Sequence, residues 1–502
     1  MSRISECVRV SGAFTLTIAI SALVPASLAL AALASPAGAI TSPARTTAAP
    51  PIRAAVTLAT GDSRSVSQPT VPSACTTLTA QLQTSNEQFS SANETTPPDT
   101  SRIQAALNSC SGSGKAVLLA PGGSNNAFLS GPLSLPASVD LVIEAGATLY
   151  ASRNPASYQV SGQATCGTIA SSDNGCKPFI TVTGSNAGIM GTQSGSGSQG
   201  EINGRGDQDI LGTSTTWWAL STAAKSGGKQ NNPRLIESKG ENNLTVYDID
   251  LVNAPIFHVY FEAGNGLTVW GVRIKTPATA RNTDGIDPDS STNVTVNNSY
   301  IQDGDDGIAI KTNSGAASNM TIENSHFYGT HGISIGSETQ HGVTNILVQN
   351  DTVSGTDTSG NVSGDNNGVR IKTNSGKGGK VSDVTYEGIC DTGVKHNLEF
   401  NPFYPGSTGS LTPDFTGIVV NGFKSVSSAS SAQSVLEGFN TSNLLGLTLE
   451  NVSLDQTSST AEFANIGVFN TNFTPSGTDV TVTSISGSGS IPSCTFPAYP
   501  GL

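Results

Sequence analysis

The sequence predicts an all-β chain wound into a single-stranded right-handed parallel β-helix, a solenoid with a short capping helix at its N-terminal end. Three observations predict it. A polar residue followed by Gly and then Ile or Val occurs four times, as Asp284-Gly285-Ile286, Asp306-Gly307-Ile308, His331-Gly332-Ile333 and Asn367-Gly368-Val369. Each is followed by a second recurrent start: Asn293-Val294-Thr295-Val296, Asn319-Met320-Thr321-Ile322, Asn345-Ile346-Leu347-Val348 and Asp383-Val384-Thr385-Tyr386. Short β-rich runs repeating in a fixed order mark stacked coils rather than a closed domain. Composition agrees, with charged residues at 12% of 502 and 55 glycines, which suits strands and tight turns better than helices.

Residues 1–39 read as an export signal. Arg3 and Arg9 precede an apolar run from Phe14 to Leu33, and Ala37-Gly38-Ala39 offers a small-residue cleavage site. The expected location is extracellular. Residues 40–73, rich in Pro, Ala, Ser and Thr, read as a disordered linker, and 74–502 as the β-helix. Asp99-Thr100-Ser101 ahead of Arg102 to Leu107 predicts a capped amphipathic helix that covers the open end of the stack. Strand-like runs follow at Ala116–Leu119, Leu141–Ile143, Phe179–Val182, Leu244–Tyr247 and Leu267–Trp270. They resume beyond the motifs at Ile418–Val420, Leu447–Leu449 and Val480–Val482. Cys7 falls in the signal. The other six cysteines fit no zinc module and, paired with their nearest partners, give Cys75–Cys110, Cys166–Cys176 and Cys390–Cys494.

A net charge of −13 argues against nucleic acid and anionic membranes as partners. A polyanionic substrate would need a local cationic cluster, which Lys311, Arg370 and Lys372 could form. Alternation points Ile308 and Ile310, Ile333 and Ile335, and Val369 and Ile371 inward, leaving Lys311, Arg370 and Lys372 outward. Stacking places Asp284, Asp306, His331 and Asn367 on successive rungs about 4.8 Å apart, with Asp305 alongside. Carboxylates so crowded repel, so at least one should hold a proton near neutral pH, the condition for a general acid beside a general base. Glycosidic hydrolysis uses such a pair.

In this order Asn282-Thr283-Asp284, Gly304-Asp305-Asp306, the stretch His331–Ser337 and Arg370-Ile371-Lys372 resemble the polygalacturonases of glycoside hydrolase family 28, secreted bacterial endo-acting members above all. The similarity runs from about Gln104 to Phe423 and includes Trp217-Trp218 and Pro233-Arg234-Leu235-Ile236. It implies an inverting hydrolase of α-1,4-galacturonosidic bonds, without cofactor or metal. Asp305 would protonate the leaving oxygen, Asp284 and Asp306 would hold and deprotonate the attacking water, and His331 would tune or orient the acid. Asn282, Arg370, Lys372 and Tyr404 would bind substrate, the two cations taking the uronate carboxylate. Two departures stand out. Thr330 occupies a position that is usually Gly, where its side chain would crowd the site or point into solvent, and Asp303 adds a carboxylate.

Other residues carry blander readings. Asp287, Asp289 and Asp303 read as turn residues and Lys311 as an ordinary charged strand face. Trp217 and Trp218 serve equally as loop anchors or as sugar platforms. Asn-x-Ser/Thr triplets such as Asn243-Leu244-Thr245 read as ladder composition rather than glycan sites. The alternatives are an exo-acting enzyme, a rhamnogalacturonan or xylogalacturonan hydrolase, a pectate lyase and a non-catalytic polysaccharide-binding β-helix. No dense run of Ca²⁺ ligands favours the lyase. The absence of a large insertion in the motif region favours an open, endo-type groove, and a solenoid capped at its ends need not associate, so a monomer is expected.

Overall fold

A computed structural model describes residues 58–84 and 86–502. The export signal, Cys7 and the first part of the linker lie outside the described residues. The chain winds into a parallel β-helix with three strands per turn, each strand pairing with its counterpart in the next coil. Parallel crossovers are almost always right-handed, and this coil follows that hand. One turn runs Ile286–Asp289, Thr292–Asn297 and Tyr300–Gln302 before the chain returns at Ile308–Ile310. These strands define a first, second and third face.

On the first face Val259, Ile286, Ile308, Ile333, Val369 and Leu398 stand in register through six coils. On the second, Leu267, Val294, Met320, Ile346, Val384, Ile418 and Leu447 do the same. All are at most 2% exposed, so the inward positions expected from alternation form one long core. Each contributes about 1.5–3 kcal/mol by burial, spread along the axis.

The second recurrent motif has a backbone cause. Asn293, Asn319, Asn345 and Asp383 have φ between 56° and 57° and interrupt the strand register, a left-handed position that asparagine and aspartate tolerate. Their amides also ladder from coil to coil: Asn293 Nδ2 donates to Asn265 Oδ1 at 2.9 Å and Asn345 Nδ2 to Asn319 Oδ1 at 2.8 Å. The Asn-x-Thr triplets follow from this ladder.

The helix Thr100–Cys110 buries Ile103, Ala106, Leu107 and Cys110 against the first strands. Asp99 does not cap it through its side chain. Its carboxylate instead pairs with Arg102 Nε at 2.6 Å and accepts the Leu129 N–H at 2.7 Å, tying the helix to the stack. The three expected disulfides are present, Cys75–Cys110 fastening this helix and Cys390–Cys494 fastening the C-terminal tail. The tail returns along the third face, where Tyr499 lies edge-on between Tyr300 and Tyr328 and donates to the Ile274 carbonyl.

Residues 58–73, expected as the end of a disordered linker, cross the second face instead. Thr60 and Gly61 N–H groups donate to Asn345 Oδ1, the Asp62 N–H donates to Thr321 Oγ1, and Arg64 reaches the Leu267 carbonyl. The outward Asn and Thr ladders present one polar group per coil, and the N–H groups of Ala59 to Ser63 laid across them each find an acceptor there. Among the described residues no helix is long and apolar enough to cross a membrane.

Candidate active site

The first recurrent motif builds the site. Each polar–Gly–aliphatic triplet lies where the chain turns from the third face onto the first. A Cβ added to Gly285 would stand 2.5 Å from the Gly307 carbonyl oxygen, and one on Gly332 (φ +95°) 2.5 Å from the Gly368 oxygen. Only glycine lets successive coils close there. The aliphatic residue enters the core, and the polar residue before the glycine lines a groove at Asp284, Asp306 and His331, whereas Asn367 is fully buried and donates to Asp365 instead. A cavity of about 580 Å³ is lined by Asn282, Asp284, Asp305, Asp306, His331, Lys372 and Tyr404, together with Lys225, Arg281 and Lys311. It spans the coils from Phe257 to Tyr404, roughly 25 Å at one strand spacing per coil.

Asp305, Asp306 and His331 place an oxygen, an oxygen and a ring nitrogen within 4.8 Å of one another. Asp305 Oδ1 lies 3.0 Å from His331 Nδ1, and its Oδ2 accepts from Asn282 Nδ2 at 3.2 Å. Asp306 accepts from Lys372 Nζ at 2.7 and 3.0 Å and from Ser334 Oγ at 2.7 Å. A cation against Asp306 would have to displace that ammonium. Asp284 Oδ2 accepts from Lys311 Nζ at 3.1 Å, whereas its Oδ1 is buried and accepts no hydrogen bond from the described residues.

The carboxyl groups are pushed in opposite directions. Burial alone would raise Asp305, but the adjacent imidazole, with Lys372 and Lys311 behind it, holds its carboxyl far below the usual carboxylate range. Burial alone would lower His331, but the charge and hydrogen bond of Asp305, with Asp306 behind them, together raise it. Asp284 is pushed well up, first by burial and then by Asp287, with Lys311 offsetting part of this. Asp287 is pushed up by burial to about 6, against the pull of Lys311. Burial also raises Asp303, whose Oδ1 accepts the Asp305 N–H at 3.0 Å. Burial thus favours the neutral form of Asp284, and within the Asp305–His331 pair the imidazole rather than the carboxyl is the favoured site of a proton.

The structure brings together Asp284, Asp305, Asp306, His331, Asn282, Lys372 and Tyr404. Arg370 stands apart from the expected open binding position. It is 1% exposed, with Nη2 2.5 Å from Asp365, Nε 2.7 Å from Glu399 and Nη1 3.8 Å from Asp306, and it stacks with Lys372 over the Tyr404 ring. Its side chain does point outward, but three carboxylates enclose it. Lys311, read as an ordinary surface cation, is the main residue missed: its ammonium bridges Asp284 and Asp287, the latter at 2.5 Å, over the Phe257 ring. Asp287 and Asp289 are fully buried strand residues rather than turns. Thr330 neither crowds the groove nor meets solvent. It is buried, and its Oγ1 accepts the Gly332 N–H at 3.0 Å, bracing the turn that carries His331. Trp217 is buried edge-on against Tyr158, and Trp218 donates to the Ala254 carbonyl, so both are anchors.

The family model described as "Glycosyl hydrolases family 28" matches residues 132–474. An endo-polygalacturonase of Pectobacterium carotovorum subsp. carotovorum is 40% identical over 411 residues, covering 81% of this chain and 93% of the relative. A polygalacturonase of Ralstonia solanacearum is 37% identical over 449 residues, 80% of this chain and 82% of its own. The solved polygalacturonase of Erwinia carotovora ssp. carotovora superposes with a TM-score of 0.71 at 40% identity, covering 81% of this chain and 99% of that one.

Proposed function

The chain belongs to glycosyl hydrolase family 28, and we propose that it is a secreted, monomeric, endo-acting and inverting polygalacturonase that cleaves the α-1,4-galacturonosidic bonds of de-esterified pectin. One observation carries the residue assignment. A single groove holds a carboxylate tied to an imidazole and a second with an unpartnered buried oxygen, among the cations Lys225, Arg281, Lys311 and Lys372. These cations answer the long-range repulsion expected between a chain of net charge −13 and a polyanion.

On this reading Asp305 protonates the leaving glycosidic oxygen and is resupplied from His331 across the 3.0 Å contact, while Asn282 fixes its other oxygen. Asp284, which lines the groove, takes the proton of the attacking water, which Asp306, held by Lys372 and Ser334, helps to orient. A uronate carboxylate entering beside Lys372 and Lys311 neutralises part of the charge that keeps Asp305 ionised, so binding itself raises the acid's proton affinity. Lys372 is on the groove wall and takes that carboxylate. Arg370 reaches it by exchanging Asp365, whose side chain is 33% exposed. Tyr404 closes the subsite over both cations.

The direct test is reducing-end release from polygalacturonate with product sizes followed in time. Mixed oligomers early and no ultraviolet-absorbing products are expected. Monomer alone would mean exo action, and an unsaturated product would mean a lyase.

The electrostatics also set a pH profile. Asp284 works as a base only when ionised, so activity falls as pH drops through its raised pKa. The Asp305–His331 pair must keep one proton, so activity falls as pH rises through the raised pKa of His331. In His331→Gln the proton must sit on Asp305 alone. The alkaline limb should move to lower pH and kcat should drop about 10²-fold. An unmoved alkaline limb would remove His331 from the acid.

A further inference from the structure

We propose that the groove continues past Tyr404 into a subsite for an uncharged galacturonosyl unit, one whose carboxyl is methyl-esterified. The proposal rests on the polygalacturonase reading and adds where along the groove an ester is accepted. Phe403 is 48% exposed and stacks on Phe439, with centroids 5.8 Å apart and planes 30° from parallel. The two rings follow the strands His396–Asn401 and Ser434–Glu437, whose Phe400 and Leu436 are in register. Lys372 is in register with Asn401, so the rings stand one and two coils beyond the catalytic lysine, about 4.8 Å per coil. They wall a hollow of about 240 Å³, and Tyr404 lines both this hollow and the catalytic cavity, so the two adjoin across that ring.

The two ends differ in charge. Lys225, Arg281, Lys311 and Lys372 line the catalytic cavity, whereas no charged side chain lines the aromatic hollow, whose polar groups come from Asn374, Ser375, Ser407 and Thr408. An ionised carboxylate brought against two phenyl rings with no cation loses hydration without a return. A methyl ester loses little there, and the apolar face of its sugar ring gains stacking. The rings are presented rather than merely left over from folding. The N–H groups of Phe403, Tyr404 and Phe439 are each bonded to their surroundings, at 2.8, 2.8 and 2.9 Å, and hold the aromatic step in place.

The test compares kcat/KM on polygalacturonate and on partly methyl-esterified pectin. Phe403→Ala combined with Phe439→Ala should lose about tenfold on the esterified polymer and less than about threefold on polygalacturonate. Phe403→Lys, a change at a half-exposed position, should shift the preference towards polygalacturonate by a similar factor. Phe403→Ala alone carries the comparison if the double variant does not fold. Equal losses on both polymers, or a preference ratio unmoved by Phe403→Lys, would overturn the proposal. Wild-type release of reducing ends from polygalacturonate separates the two levels: its absence refutes the activity itself, and its presence with an unmoved ratio refutes only this subsite.

Discussion

Asp305→Asn is expected to lower kcat on polygalacturonate by about 10²–10⁴-fold while polymer binding and melting temperature stay close to wild type. The side chain keeps its shape, so the groove is unchanged. What it loses is the ability to hand over a proton. Asn282 Nδ2 and His331 Nδ1 sit at opposite oxygens of the carboxyl, 3.2 and 3.0 Å away. An amide can accept from one of them and must turn its NH₂ towards the other, which weakens the local network but leaves Lys311, Lys372 and Tyr404 free to hold the chain. The effect should therefore fall on kcat with KM little changed, the signature of a group that acts in the transition state. Initial rates of reducing-end release, together with retention of the variant on a polygalacturonate column, check both halves. A variant with a tenth or more of wild-type turnover would take the role of acid away from Asp305. A purely polysaccharide-binding β-helix would show binding with no turnover in either protein.

The fold was legible because its local requirements are strict. A glycine is demanded wherever the next coil's carbonyl comes within 2.5 Å, as at Gly285 and Gly332, and an αL-tolerant residue wherever the second-face strand breaks register, as at Asn293, Asn319 and Asn345. Both demands recur once per coil, so both appear in the sequence as repeats. The same repeats bring Asp284, Asp306 and His331 into one groove. What could not be read depends on partners set by the stack. Nothing near Lys311 in sequence shows that Asp284 and Asp287 of the preceding coil converge on its ammonium. The available signal was the carboxylates themselves, since two buried acids one coil away need a cation. Alternation places Arg370 outward, where it stands, but its enclosure depends on Asp365 and Glu399, one before its strand and one in the next coil. Residues 58–73 have a disordered composition, and their order comes from acceptors more than 200 residues away.

Lys311→Met is expected to be the most damaging change outside the acid pair, and its pH dependence distinguishes the reason. Lys311 holds Asp284 and Asp287, which are 4% and 0% exposed, and both are already pushed up by burial with the ammonium present. Removing it leaves two neighbouring buried carboxylates uncompensated, a change of about 3–5 kcal/mol at neutral pH. The sign follows from their protonation. In the folded variant both pKa values rise further above the unfolded values, so the fold binds more protons than the unfolded chain across that interval. Stability is then retained at acid pH, where both groups are neutral in both states, and lost as pH rises through the folded-state values. The gap in melting temperature from wild type should accordingly be largest near pH 7–8 and shrink towards about pH 4. Turnover should report the same electrostatics. Asp284 is harder to ionise without the lysine, so the acid limb of the pH–rate profile should move to higher pH. Lys311→Arg keeps a cation over the Phe257 ring and should recover most of both effects. A melting-temperature gap independent of pH would identify Lys311 as a packing residue, and an unmoved acid limb would mean that Asp284 is not the base.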